Sequence, residues 1–97
     1  MARFHVHQFG IELVLDVQSN LLDDLHTRVV VPLVPEHEVK QVVQRLNPRF
    51  EINSVLYVMM TEFIAAVPAH ELGTTVTRLS SRSDEITAAT DFLFQGF

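Results

Sequence analysis

The chain has 97 residues, of which 47% are hydrophobic, and it carries a formal net charge of −5 at pH 7 and no cysteine. This length predicts a single domain over residues 1–97, with a modest core. Without cysteine, the chain can form neither a disulfide nor a thiolate metal site. Its acidity argues against direct binding of nucleic acid, since neutralising phosphates supplies most of that affinity, and instead predicts protein partners.

The apolar residues are spread along the chain rather than gathered into one block. No apolar run approaches the ~20 residues that span a bilayer, so no membrane association is expected. Residues 1–7 alternate polar and apolar side chains without the apolar core of a signal peptide, and a cytoplasmic location is expected. So high a hydrophobic content in a short chain predicts a homodimer that buries further apolar surface, with an apolar monomer as the alternative.

Residues 4–17 predict a β-hairpin turning at Phe9-Gly10. In its first strand, His5 and His7 lie on one face, at a spacing that can chelate a metal. No third ligand is placed nearby, so no metal is expected. The side chains expected to share one face of the second strand are Ile11, Leu13, Leu15 and Val17.

The segment after this hairpin, residues 18–27, predicts a polar loop that carries three exposed leucines. Residues 29–31 are three consecutive valines and predict a buried strand. Pro32 and Pro35 are expected to close that strand, because proline cannot donate to a sheet ladder.

The middle of the chain is less clearly patterned. Residues 35–46 place valines at helical spacing after a proline that suits a helix start, but three β-branched valines weaken that prediction, and an irregular or extended segment is the alternative. Residues 50–60 predict a second, smaller hairpin turning at Asn53-Ser54. Residues 61–67 are candidates to extend it as far as Pro68.

Residues 80–95 give the clearest helical pattern. Ser80 or Ser81 is expected to cap the helix, and acidic side chains follow in its first turn. Gly96 suits the left-handed residue that ends many helices. The predicted apolar face of the helix consists of Ile86, Ala89 and Leu93.

Two aromatic rings, Phe94 and Phe97, stand in the last four residues. If they are exposed, they form an anchor at the end of a rigid helix, and large rings presented in this way tend to dominate binding energy. The alternative is that Phe94 packs into the core and Phe97 folds back over the sheet.

Four segments stand in the order found in one known family. They are Asp-Val-Gln-Ser-Asn-Leu-Leu-Asp at 16–23, Arg-Val-Val-Val-Pro-Leu at 28–33, Met-Met-Thr at 59–61 and Val-Pro at 67–68. With them the chain resembles CcdB-type toxins, the gyrase poisons of toxin–antitoxin operons, almost from end to end. The resemblance implies a mainly β (α+β) fold: a small SH3-like barrel or antiparallel sheet, a second small sheet and a C-terminal helix.

The resemblance also implies the partners. The DNA gyrase A subunit is the expected target, and a cognate CcdA-like antitoxin is the expected inhibitor of a homodimeric toxin. Such a toxin is not an enzyme and needs no cofactor, because it traps gyrase after the DNA has been cleaved. In the family the antitoxin wraps the toxin with a disordered segment. On this acidic chain, basic or apolar residues are expected to lead that contact.

The gyrase-facing positions of the family carry over residue by residue. In the family the last helix ends in Trp-Gly-Ile, where this chain has Gln95, Gly96 and Phe97. A glutamine lacks the indole face that can stack on an arginine of the target. The other positions lie in the family's Gln-Ser-x-x-x-Asp segment and on the outer side of the helix. The full set is Ser19, Leu21, Leu22, Asp91, Phe94, Gln95, Gly96 and Phe97.

Two other functions remain open. MazF/Kid ribonuclease toxins share the expected fold, and Arg28, His26 and Asp23 are close enough in sequence to form a general acid–base set. The plainer interpretation is a surface ion pair between Arg28 and Asp23 or Asp24. The second alternative, suggested by Gln95, is a degenerate homologue that binds antitoxin but has lost the ability to bind gyrase.

Overall fold

Seven antiparallel strands, one α-helix and five short 3-10 turns make up the regular structure of residues 2–97, which are the residues that the computed structural model describes. The strands are β1 (His5–Phe9), β2 (Glu12–Asp16), β3 (Thr27–Pro35), β4 (Arg49–Ile52), β5 (Val55–Met59), β6 (Ala65–Pro68) and β7 (Thr75–Arg78), and the helix is α1 (Ser83–Gln95). The predicted mainly β fold with a C-terminal helix is therefore confirmed. Within these residues no helix is long and apolar enough to cross a membrane.

The strands form one curled sheet in the order β4-β5-β3-β2-β1-β7, and β6 pairs with β3 beside this path. The predicted second hairpin, β4 and β5, joins the main sheet because β5 pairs with the end of β3. The residues after it do not extend that hairpin, which corrects the prediction for residues 61–67. They form a 3-10 turn, Thr61–Phe63, and then β6, which ends at Pro68 as predicted.

The long central strand β3 runs through Pro32, so the prediction that this proline helps to close the strand is wrong. One edge of β3 pairs with β2, while the other edge pairs first with β6 and then with β5. Pro32 lies where the second neighbour changes, and its carbonyl accepts a hydrogen bond from the Met60 N–H at 2.9 Å. In an antiparallel strand the N–H and C=O of a residue share one edge, so the missing N–H faces this break in the pairing.

The first hairpin is confirmed, with β1 and β2 joined at Gly10 (φ 61°). Ile11, however, is 99% exposed at the tip of the turn and does not share the inner face with Leu15, which is fully buried. The second hairpin turns at Asn53 (φ 51°) and Ser54 (φ 68°), as predicted. Two successive positive φ values are the signature of the type I′ turn, whose twist matches that of the paired strands.

Residues 36–48 contain no α-helix, so the irregular alternative holds for this segment. A 3-10 turn, Glu36–Glu38, is the longest regular piece before β4. The valines at helical spacing therefore do not determine the structure here, as expected for residues that lose side-chain freedom in a helix.

The core lies between the inner face of the sheet and one side of α1, from which Ile86 and Ala89 are buried. The core residues are Val6, Leu15, Val31, Leu33, Phe50, Ile52, Met59, Leu79, Ile86 and Ala89. The predicted serine cap is wrong. Ser80 and Ser81 lie in a 3-10 turn that precedes α1, and the cap position is Arg82, which makes no side-chain capping bond.

Candidate functional site

Two elements bring most of the predicted contact residues to the surface: the loop between β2 and β3, and the last turn of α1. A groove of about 360 Å³ lies between them. Ser19 and Leu22 border it from the loop, and Phe94 borders it from the helix. Its remaining lining residues are Val17, Gln18, Leu25, Thr27, Val29, Ile64 and Thr90. The groove is therefore mainly apolar, and three of the eight predicted contact residues meet at it.

The loop presents Leu21 and Leu22 on a single 3-10 turn, Asn20–Leu22, and the third leucine, Leu25, follows it with 49% of its surface exposed. The Ser19 hydroxyl accepts a hydrogen bond from the Leu21 N–H at 3.2 Å, which caps the turn. Leu21 is 94% exposed and Leu22 is 50% exposed. The prediction of exposed leucines in a polar loop is thus confirmed.

A buried cluster of charges lies beneath this loop. The Arg28 guanidinium is 1% exposed. Its Nε and Nη2 donate to the two carboxylate oxygens of Asp16, at 2.8 and 3.0 Å, and its Nη1 donates to Asp23 Oδ1 at 2.7 Å. Hydrogen bonding to Asp16, and to a smaller extent to Asp23, outweighs burial and raises the pKa of Arg28 above its ordinary value.

The predicted ion pair between Arg28 and Asp23 is confirmed, but Arg28 is buried rather than at the surface, so that part of the interpretation is wrong. Its main partner is Asp16, a residue that the sequence analysis did not single out. A signal was present, because Asp16 ends one apolar strand and Arg28 precedes another, and opposite charges beside apolar runs are candidates for burial together. A guanidinium enclosed in this way cannot contact an RNA phosphate, and His26 lies exposed outside the cluster. The geometry therefore disfavours the acid–base set of the ribonuclease alternative.

Besides the charge cluster, Gln18 also holds the loop in place, and its side chain is almost fully buried. Its side-chain oxygen accepts a hydrogen bond from the Val29 N–H at 3.0 Å, and its Nε2 donates to the Leu22 carbonyl at 2.8 Å. Its own N–H donates to Asp16 Oδ1 at 3.0 Å. Gln18 thus ties the leucine turn to β3 and to the charge cluster.

The C-terminal residues leave the helix without covering their rings. Phe94 is 71% exposed and Phe97 is 74% exposed, which excludes the alternative that both pack against the chain's own core. Asp91 and Gln95 are also exposed on α1. Gly96 adopts φ 81° and its N–H donates to the Phe92 carbonyl at 2.9 Å, so the predicted left-handed end of the helix is confirmed.

The two histidines of β1 lie with their ring centroids 6.2 Å apart. His7 is buried, with Nδ1 3.1 Å from the Gly73 carbonyl, and its Nε2 makes no hydrogen bond to residues 2–97. Among residues 2–97, no three His, Cys, Asp or Glu side chains are grouped so that they could hold a metal ion. Burial lowers the pKa of His5 below its ordinary value of 6.5, and the charges of Arg78 and His7 lower it further.

The comparison with known protein families agrees with the fold and with the order of the segments. A family model described as CcdB protein matches residues 3–96, which is nearly the whole chain. The mainly β sheet, the leucine turn after β2 and the glycine-terminated helix lie within that match. The chain therefore belongs to the CcdB family, the toxins of toxin–antitoxin systems.

Proposed function

We propose that this toxin binds the A subunit of DNA gyrase and traps the gyrase–DNA complex in its cleaved state. The observation that carries the proposal is the exposure of Phe94 and Phe97 at the end of α1. Large rings bury much apolar area on binding, and Phe94, which lies on the rigid helix, loses little conformational freedom. Leu21 and Leu22 provide a second apolar contact on the neighbouring loop.

The proposed mechanism requires no catalytic group in the toxin. Gyrase itself breaks the DNA, and a bound toxin that prevents resealing leaves the break in place. Because gyrase performs the chemistry, the toxin needs no exposed acid–base set, and the burial of Arg28 is consistent with that. No cofactor or metal is part of the proposed action. The toxin is proposed to act in the cytoplasm, where gyrase acts.

The proposed assembly is a homodimer that a cognate CcdA-like antitoxin neutralises. Apolar side chains that are exposed in the single chain, among them Ile11, Val55 and Leu56, support a pairing of two copies. The formal charge of −5 favours an antitoxin segment that leads with basic or apolar residues.

One residue supports a second candidate function. Gln95 occupies the helical position where the family carries a tryptophan, and a glutamine amide buries little apolar surface. A homologue that binds antitoxin but no longer poisons gyrase would tolerate this substitution. The exposed ring of Phe97 favours the poison, because it offers another aromatic contact two residues further on.

The test is a cleavage assay with purified gyrase, ATP and supercoiled DNA, in which linear DNA is measured after detergent and protease treatment. A rise in the linear product with toxin concentration is the expected result. If the linear product stays at the level of gyrase alone at high toxin concentration, the proposal fails for that gyrase. An antitoxin-binding assay and an RNA-cleavage assay on the same preparation then separate the degenerate homologue from the ribonuclease.

A further inference from the structure

We infer that Asp23 is a positioning residue, which holds the turn Asn20–Leu22 so that Leu21 and Leu22 face a partner in a fixed geometry. The inference rests on the proposed function, since it concerns the loop that is proposed to contact gyrase. Its structural basis is the hydrogen bond between Asp23 Oδ1 and Arg28 Nη1, at 2.7 Å.

Apolar packing holds the leucine turn only weakly, through the half-buried Leu22. None of its residues is buried, and the side chain that projects furthest, Leu21, is almost wholly exposed. A segment with few buried contacts opens locally at low cost unless other bonds restrain it. The order of this turn therefore depends mainly on its polar contacts.

Three polar contacts tie the turn to the rest of the molecule. Gln18 Nε2 bonds to the Leu22 carbonyl at 2.8 Å, and Asn20 Oδ1 accepts from the Arg3 N–H at 3.0 Å. The third contact, Asp23 with Arg28, is the one that carries charge on both partners. Charge-assisted hydrogen bonds are roughly twice as strong as neutral ones, so the Asp23 contact is the strongest of the three restraints.

Asp23 can be removed without dismantling the buried cluster, because the two partners of Arg28 differ in their environments. Asp16 is fully buried and keeps both of its hydrogen bonds to the guanidinium when Asp23 is absent. The Asp23 side chain is 51% exposed. Replacing it therefore releases the turn from Arg28 while leaving the core pair in place.

The expected consequence for binding is an ordering cost. A partner that grips the two leucines of a loosened turn must restrict side chains and backbone that the native toxin already holds still. Releasing one such restraint weakens binding by about fivefold, since each immobilised side chain costs on the order of one kcal/mol.

The experiment compares Asp23→Ala with Asp24→Ala. Asp24 is the matched control, because it is the neighbouring residue, is exposed and forms no ion pair within residues 2–97. Each variant loses one carboxylate from the same loop. Affinity for a purified gyrase A fragment and amide hydrogen exchange of the toxin alone are measured for both variants and for Asp23→Asn, which keeps an acceptor oxygen without the charge.

The inference expects Asp23→Ala to weaken gyrase binding by about fivefold, Asp24→Ala to leave it unchanged and Asp23→Asn to lie between them. In the free toxin, Asp23→Ala should speed exchange at the N–H groups of Leu21 and Leu22, while the exchange of β3 stays at its native rate. An equal loss of affinity in both alanine variants would mean that loop charge alone matters, and would overturn the inference. Weaker binding with unchanged amide exchange would also overturn it, since Asp23 would then be a direct contact.

The two measurements distinguish a failure of the proposed function from a failure of the positioning role of Asp23. If the unaltered toxin does not bind the gyrase fragment, the proposal for gyrase fails. The exchange arm still decides the role of Asp23, because it needs no partner. Faster exchange confined to the leucine turn supports the positioning role, and native exchange in Asp23→Ala refutes it.

Discussion

Phe97→Ala tests the proposed anchor most directly, because the ring contributes little to the fold. Phe97 is 74% exposed in the single chain, so about three-quarters of its surface is available for a partner to cover. Full burial of a phenylalanine side chain is worth about 1.5–3 kcal/mol. Covering the exposed share therefore contributes up to roughly 2 kcal/mol, and its loss weakens binding by at most about thirtyfold.

The affinity is measured by titration calorimetry of the toxin into a gyrase A fragment. Phe63→Ala is the matched control. It removes the same side chain at a similar exposure, 62%, from the 3-10 turn after β5, and Phe63 borders a different groove from that of Phe94. Both variants should unfold at the temperature of the unaltered protein within a degree or two, because neither ring is part of the core.

The reasoning is refuted if Phe97→Ala binds gyrase as tightly as the unaltered toxin does. It is refuted equally if Phe63→Ala weakens binding by the same factor, since the effect would then follow from loss of any exposed ring. A fall in thermal stability specific to Phe97→Ala would show that the ring packs on its own chain in solution.

Three further predictions concern other parts of the molecule. Gln95→Trp should tighten gyrase binding, since a cation–π contact adds about 0.5–2 kcal/mol, and unchanged affinity in the same calorimetry would exclude a stacking role for that position. Arg28→Ala should lower the free energy of unfolding in urea by about 3–5 kcal/mol, because it leaves the carboxylate of Asp16 buried without a counter-ion; a loss below about 1 kcal/mol would contradict this. His5 has a lowered pKa through burial and the charge of Arg78, so the unfolded chain binds the proton more tightly and stability falls as the pH drops below 6.5. When the pH is lowered from about 7.5 to about 5.5, the melting temperature of His5→Gln should fall by less than that of the unaltered protein. Equal falls would argue against this contribution.

The sequence predicts the local features of this fold well where a short-range rule applies. The turn at Asn53-Ser54 and the left-handed Gly96 each follow from the backbone freedom or turn preference of the residues themselves. The exposure of Leu21 and Leu22 follows from their polar neighbours, since a loop rich in Ser, Asn and Asp has no apolar partner to cover them. These features need no knowledge of which strands become neighbours.

The features that the sequence does not predict depend on tertiary neighbours. Whether Pro32 ends a strand is decided by the place where β3 exchanges β6 for β5, which no local pattern contains. The pairing of Asp16 with Arg28 likewise requires β2 and β3 to lie side by side. At the site, the leucines and rings could therefore be predicted from local rules, whereas the position of the two charges beside apolar runs suggested burial but could not identify them as partners.

The exchange of an anchor at position 95 for one at position 97 has a physical consequence under the proposed function. Residue 95 is the last residue of α1, so a ring there would be held by the helix before any partner arrives. Phe97 follows Gly96, whose left-handed conformation is held by the hydrogen bond from its N–H to the Phe92 carbonyl, so Phe97 lies beyond the last hydrogen-bonded residue of the helix end. Ordering the backbone of a single residue costs about 1–2 kcal/mol, so the net contribution of the ring lies below its area-based value. An anchor beyond the glycine thus gains reach at an entropic cost, whereas the leucine turn, which polar contacts already order, offers its apolar contact without that cost.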